Sequence, residues 1–233
     1  MATAEVIEKW TFDYPDDTPL SQTLSDQGTP LATVDKPTAR IWGNRLELNA
    51  EGDNDSIFLI NEFSGPALPR GIYEVEWSYM STDFARTHEA KGRAVVGFDL
   101  RDTRGTRYKG KDDVVLGGVR MHFNKTDILI EYQDATSEKY IEIAKVERVL
   151  MLEPLHVRIR FDLDQSGQAG SMQVFLRLGD QPEINPLIDG MIPEGVQLSG
   201  YRLIQQISNG GTAWQKGDYV TVDSFTLSHP VVD

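Results

Sequence analysis

The stretch Ile72-Tyr73-Glu74-Val75-Glu76-Trp77-Ser78-Tyr79-Met80 decides the fold class. Its bulky residues Tyr73, Val75, Trp77 and Tyr79 occupy every second position, with Glu74, Glu76 and Ser78 between them. A helix would scatter both sets around its circumference, whereas a strand has a period of two and sends them to opposite faces. The segment is therefore a half-buried strand whose aromatic side meets either a core or a ligand groove.

The same alternation continues in both directions. Toward the N-terminus it predicts strands over 56–61, 45–49, 39–43 and 5–12, and toward the C-terminus over 94–102, 114–123, 127–133, 139–146, 154–163, 171–178, 201–207 and 219–228. Gly, Asp, Asn and Pro separate these runs. Helical periodicity is weak and confined to 82–92 and 145–152, without a convincing cap and stop. About a dozen strands cannot remain one flat sheet, because twist makes them curl or split into two packed layers. The expected architecture is an all-β, two-sheet antiparallel sandwich of jelly-roll type forming a single domain over 1–233. The polar stretches 14–37, 103–113 and 179–199 read as surface loops of that domain.

Composition narrows the function classes. The 233 residues carry 36 Asp and Glu against 23 Lys and Arg, a formal charge of −13. Phosphate polymers are repelled by that sum, so nucleic acid is not an expected partner. No apolar run approaches the roughly 18 residues of a membrane span, so no membrane association is expected either. The absence of cysteine removes thiol catalysis, thiolate metal sites and disulfides. Phosphate loops, dinucleotide fingerprints, HExxH and nucleophile elbows are also missing from the sequence.

Two segments concentrate chemistry. In GGVRMHFNKTDILIEYQ, 117–133, a turn at Asn124-Lys125 would pair Phe123 with Thr126, Met121 with Ile128 and His122 with Asp127. One face is then apolar and the other carries Arg120, His122, Glu131 and Gln133. In HVRIRFD, 156–162, Val157, Ile159 and Phe161 point inward while Arg158 and Arg160 point outward. Arg120, Arg158 and Arg160, with Arg177 and Arg202, would make a positive strip suited to carboxylate or sulfate. The competing expectation is a solvated face whose arginines pair with Glu131, Glu142 and Asp162. The loop after Gly210-Gly211 holds Trp214, either as a sugar platform or as a packing plug.

WTFD (10–13), YEVEWSY (73–79), VGFDLRD (96–102), VRMHF (119–123), RIRFDLD (158–164) and YVTVDSFTLS (219–228) together resemble the concanavalin A-like jelly roll of lectins, glucanases, laminin-G-like domains and some polysaccharide lyases. The resemblance implies a sheet that binds sugar chains, and a chain that is secreted or periplasmic and monomeric. A retaining glucanase of this type needs a third acid in phase with Glu74 and Glu76, and none follows. A lyase instead needs a group to neutralise a uronate carboxylate, a base beside the scissile bond and an acid for the leaving oxygen. The matching types are Arg120, His122, Gln206 and Tyr201 as catalytic candidates, with Arg158, Arg160, Gln133, Gln205, Asn209 and Trp214 as substrate-binding ones. The RxELR, Q-[IV]-H and YFKAG motifs of the best-known alginate lyase family do not occur in this sequence.

The resemblance also implies a structural calcium ion tying the first and last strands, through Asp223 with Asp13, Asp53 or Asp55 as helpers. FDLDQSG, 161–167, opens like a calcium loop but has Gln173 where an EF-hand needs glutamate, and reads as a hairpin turn. The functional expectation is an acidic, uronate-containing polysaccharide that is bound and cleaved by β-elimination. A non-catalytic carbohydrate-binding module is the alternative.

Overall fold

The structure is a computed structural model, and it describes residues 4–31, 39–48, 56–62, 68–80, 93–102, 114–123, 127–133, 140–147, 154–163, 170–192, 194, 197–208 and 220–230. Fourteen strands are described: β1 Glu5–Trp10, β2 Ala39–Ile41, β3 Leu46–Leu48, β4 Ser56–Glu62, β5 Ile72–Met80, β6 Arg93–Asp102 and β7 Val114–Phe123, followed by β8 Asp127–Gln133, β9 Tyr140–Glu147, β10 Leu155–Asp162, β11 Gly170–Leu178, β12 Ile184–Ile192, β13 Gly200–Ser208 and β14 Val220–His229. Among the described residues the one helical element is a single 3-10 turn at Leu20–Gln22. No helix there is long and apolar enough to cross a membrane.

The strands form two antiparallel sheets. One has eight strands in the order β12-β11-β10-β5-β14-β3-β2, with β1 on β14, and the other has six in the order β4-β13-β6-β7-β8-β9. The alternation in β5 fixes the inner layer, since Tyr73 and Val75 are wholly buried and Trp77 nearly so. Val157, Ile159 and Phe161 of β10, Met172, Val174 and Leu176 of β11, and Val222, Phe225 and Leu227 of β14 continue the same apolar surface. Trp77 is thus core, and no sugar can reach its ring. At about 25 cal/mol per Å2 of apolar surface, each such side chain contributes roughly 2 kcal/mol.

Local chemistry explains the tight connections. Gly43 and Asn44, at φ of 59° and 57°, occupy the two central positions of the β2–β3 hairpin, the primed-turn geometry that suits twisted strands. Gly170 opens β11 against the Asp162 carbonyl so closely that any Cβ would collide with it, so only glycine fits there. The hairpin reading of FDLDQSG agrees with the direct pairing of β10 and β11.

Three expectations need correction. The stretch 179–199 is not only loop, because β12 runs through it; its Asn-Pro and Asp-Gly pairs hide an edge strand, where proline is tolerated. The weak helical signal at 145–152 begins inside β9, which runs to Glu147. The β7–β8 register pairs Phe123 with Ile128 and Met121 with Ile130, two residues from the expected one. A slip of two keeps every residue on its face, so the apolar and polar sides survive, but His122 now lies opposite Leu129 and not Asp127. The weak helical stretch at 82–92 lies outside the described residues.

Candidate functional site

Register places the sequence candidates on two different sheets. β13, β6 and β7 are consecutive in the six-stranded sheet, and the pairings Gln206 with Val95 and Val95 with His122 put these three in one row. The next row of the same face runs Ile204, Gly97, Arg120, Glu131. Gln133 follows Glu131 two residues along β8 and shares that face. The face is the solvent side: the two rows end on β9 at Lys145 and Glu142, both exposed. Arg120, His122, Gln206 and Gln133 therefore stand on one outer face, where β6 contributes Val95 and Gly97 to these two rows and Asp99 to the next, between Arg202 and Gly118.

Tyr201 and Gln205 have the opposite parity on β13. Tyr201 is 1% exposed and packs on Phe225 with ring centroids 4.7 Å apart. Its hydroxyl accepts from Trp10 Nε1 at 2.6 Å and donates to Glu8 Oε1 at 3.2 Å. A catalytic acid must reach the leaving oxygen, and this hydroxyl is sealed inside the sandwich, so the expected role of Tyr201 is overturned. Residue type alone could not separate it from an exposed tyrosine, although the parity of YRLIQQI could.

The positive strip is also divided. Arg120 and Arg202 belong to the six-stranded sheet, while Arg158, Arg160 and Arg177 lie on β10 and β11 of the other. Arg158 does pair with carboxylates, but with different ones from those expected. Its Nη1 donates to Glu74 at 3.0 Å, and Nη2 and Nε grip Glu183 at 2.6 and 3.2 Å. The guanidinium also covers the Phe175 ring, 3.8 Å from its centroid. Burial works against the Arg158 charge, but the bonds and charges of Glu183 and Glu74 outweigh it and hold the group above its ordinary value. This arginine has little left to offer an acidic ligand.

Around Arg158 the outer face of the eight-stranded sheet forms a polar cavity of about 140 Å3, lined by Glu76, Ser78, His156, Arg177, Glu183 and Thr226 among others. His156 and Glu183 were missed in the sequence. His156 sits one position before the apolar alternation of β10 begins, and Glu183 lies in what reads as loop. Glu76 is pushed above the usual glutamate value by burial first and by the neighbouring Glu74 second, against the pull of Arg158.

The two strands that the expected calcium ion would tie together are neighbours. β1 and β14 do pair, yet Asp223 Oδ1 accepts from Arg45 Nε at 3.1 Å and Asp13 is exposed. Among the described residues no group of three or more His, Asp or Glu side chains could hold a metal ion. Asp53, Asp55, Asn209 and Trp214 lie outside the described residues.

No protein-family model matches this chain, and no curated protein does. Solved structures match in fold. A bifunctional GH43-CE protein of Bacteroides eggerthii aligns over 97% of this chain at a TM-score of 0.60 and 12% identity, and this chain spans only 26% of that one. A carbohydrate esterase from the Shiga toxin-encoding bacteriophage phi24B aligns over 98% of this chain and 100% of its own, at 0.55 and 13%. The alginate lyase Aly36B aligns over 97% of both chains at 0.54 and 12%. At such identities the likeness shows the fold, a β-sandwich also used by carbohydrate-active proteins.

Proposed function

We propose that the outer face of the six-stranded sheet binds an acidic, uronate-containing polysaccharide and cleaves it by β-elimination. The observation that carries this reading is the pair of rows that aligns His122 with Gln206 across Val95 and sets Arg120 beside Gly97. Arg120 would neutralise the uronate carboxylate, which acidifies the neighbouring C–H. His122 would take that proton while Gln206 holds the carboxylate oxygen as charge moves onto it; the C–O bond to the leaving sugar then breaks as the C=C bond forms, and the imidazolium of His122 would return the proton to the departing oxygen. The fold likeness to Aly36B supports the substrate class, since a mutant of that enzyme was solved with an alginate tetrasaccharide.

The test is ultraviolet absorbance of the unsaturated uronate product across a panel of uronic polymers. A rise with one polymer that disappears in Arg120→Ala supports the reading, and a flat trace across the panel ends it. One observation favours the second reading, a binding module without chemistry. With Tyr201 sealed in the core, the set lacks its tyrosine acid among the described side chains. Retention on a uronic glycan without any product would select that reading. A protein handling such polymers would work outside the cytoplasm, as a secreted or periplasmic chain.

A further inference from the structure

The cavity on the eight-stranded sheet takes no part in the elimination chemistry, yet it is built like a reaction site. Its volume of about 140 Å3 equals four or five waters at roughly 30 Å3 each. Ser78 of β5 and His156 of β10 are direct cross-strand partners opening into it, and Ser78 Oγ lies 2.6 Å from His156 Nδ1. Both residues are partly exposed. Opposite Ser78, β14 bulges: Val222 pairs with Tyr79 and Phe225 with Trp77, so Asp223 and Ser224 together face one residue. Bulges of this kind re-aim side chains and concentrate next to active sites. Here the bulge turns both Asp223 and Ser224 away from the core, and Ser224 lines the cavity.

We propose that Ser78 and His156 are the nucleophile and general base of an ester-hydrolysing site for small acyl esters of a polyhydroxylated ligand, with acetyl as the acyl group the cavity best fits. Ser78 Oγ bonds to the ester carbonyl carbon while its proton passes to His156 Nδ1. The acyl C–O bond then breaks, and the imidazolium returns the proton to the departing alcohol oxygen. Water repeats the sequence on the acyl-serine, releasing the carboxylic acid and restoring the serine. Arg177, which lines the cavity and is anchored by donating to the Gly179 carbonyl, is the cation available to the developing oxyanion. Glu76, Ser224 and Thr226 supply acceptors and donors for the hydroxyls of the alcohol part. His156 is held below the ordinary histidine value by burial first and Arg177 second, with Asp223 and Asp180 pulling the other way. The shift favours the neutral imidazole that a base requires.

The experiment uses the full chain with p-nitrophenyl acetate and butyrate as substrates and a fluorophosphonate as covalent probe. The expected result is hydrolysis of the acetate faster than the butyrate, with a probe adduct mapped by mass spectrometry to Ser78. Ser78→Ala should lose adduct and hydrolysis while keeping its thermal midpoint and any elimination of uronic polymers. His156→Gln, which preserves a polar partner for the serine without a titrating base, should lose about 100-fold in hydrolysis. Hydrolysis no faster than buffer, an adduct elsewhere, or activity surviving in Ser78→Ala would each overturn the proposal. None of these outcomes reads the unsaturated uronate product, so failure here is distinct from failure of the elimination reading.

Discussion

On the eight-stranded sheet, Arg158 is clasped by Glu74 and Glu183, at 3.0 and 2.6 Å, and Phe175 stacks under it. On the six-stranded sheet, Arg120 stands between Glu131 of β8 and Gly97 of β6, and His122 between Leu129 and Val95. The two arginines have the same residue type and the same alternation in sequence, yet their neighbours differ. Arg158 has its donors filled by two carboxylates, so the face around it suits a Ser–His pair acting on an uncharged ester. Arg120 has glycine, not a carboxylate, as its register partner on the β6 side, and our proposal places the acidic polysaccharide on that sheet. A net charge of −13 therefore says little about either face, because a sum over the whole chain does not say where its cations and carboxylates stand.

The largest effect that would break this contrast is on turnover. His122→Asn keeps a polar side chain while removing the titrating base, and should lower elimination by a factor of about 100 or more with the thermal midpoint unchanged. Full activity in His122→Asn, read by product absorbance, would move the reaction off this row.

Next in size is the buried hydroxyl that separates the two layers. Tyr201→Phe removes one partner from Trp10 Nε1 and one from Glu8 Oε1, both inside the sandwich. Urea unfolding should show a loss of about 1–2 kcal/mol, while elimination measured on folded protein stays within a factor of two or so of the parent. A large fall in turnover with unchanged stability would restore Tyr201 as a catalytic acid.

These contrasts also mark how far the sequence reaches. The alternation in β5, β7 and β10 predicts the two-sheet sandwich and the faces of Tyr73, Val157 and Met121, because burying one face of a strand leaves a period-two trace. The shared face of Arg120, His122 and Gln206 is compatible with that trace but not contained in it, since it depends on β6 lying between β7 and β13. Sheet order comes from loops and long-range pairing, which leave no local pattern. The same holds for the division of the arginines between sheets and for Glu183 closing on Arg158 from a segment that reads as loop. β12 escapes notice because an edge strand tolerates the Pro and Gly that otherwise signal turns.

A smaller effect sharpens the eight-stranded side. Arg158→Met removes the guanidinium from the Phe175 ring and leaves Glu74, Glu76 and Glu183 without this cation. The pair is partly exposed, with side-chain exposures of 23%, 18% and 31% for Arg158, Glu74 and Glu183, so the cost should be about 1 kcal/mol and should shrink in high salt. A salt-independent loss of several kcal/mol would mean that packing on Phe175, not charge, holds the guanidinium.

The smallest expected effect is at Glu76, and its sign is the informative part. The folded protein holds this carboxyl above the ordinary glutamate value, through burial first, then Glu74, with Glu183 adding and Arg158 and Arg177 opposing. A raised folded value means that the native state takes up a proton more readily than the unfolded chain. The ionised form is therefore a cost at neutral pH, relieved as pH falls from the folded value to the unfolded one. Glu76→Gln should stabilise the protein at neutral pH by about a few tenths of a kcal/mol, because solvent screens this exposed group. The gain should vanish below the ordinary glutamate range, where both proteins are uncharged at this position. Chemical denaturation at a series of pH values reads the difference directly. A variant less stable than the parent at neutral pH would show that the Glu76 carboxylate is held by a cation after all, and the cavity around Ser78 would then be as fully paired as the clasp on Arg158.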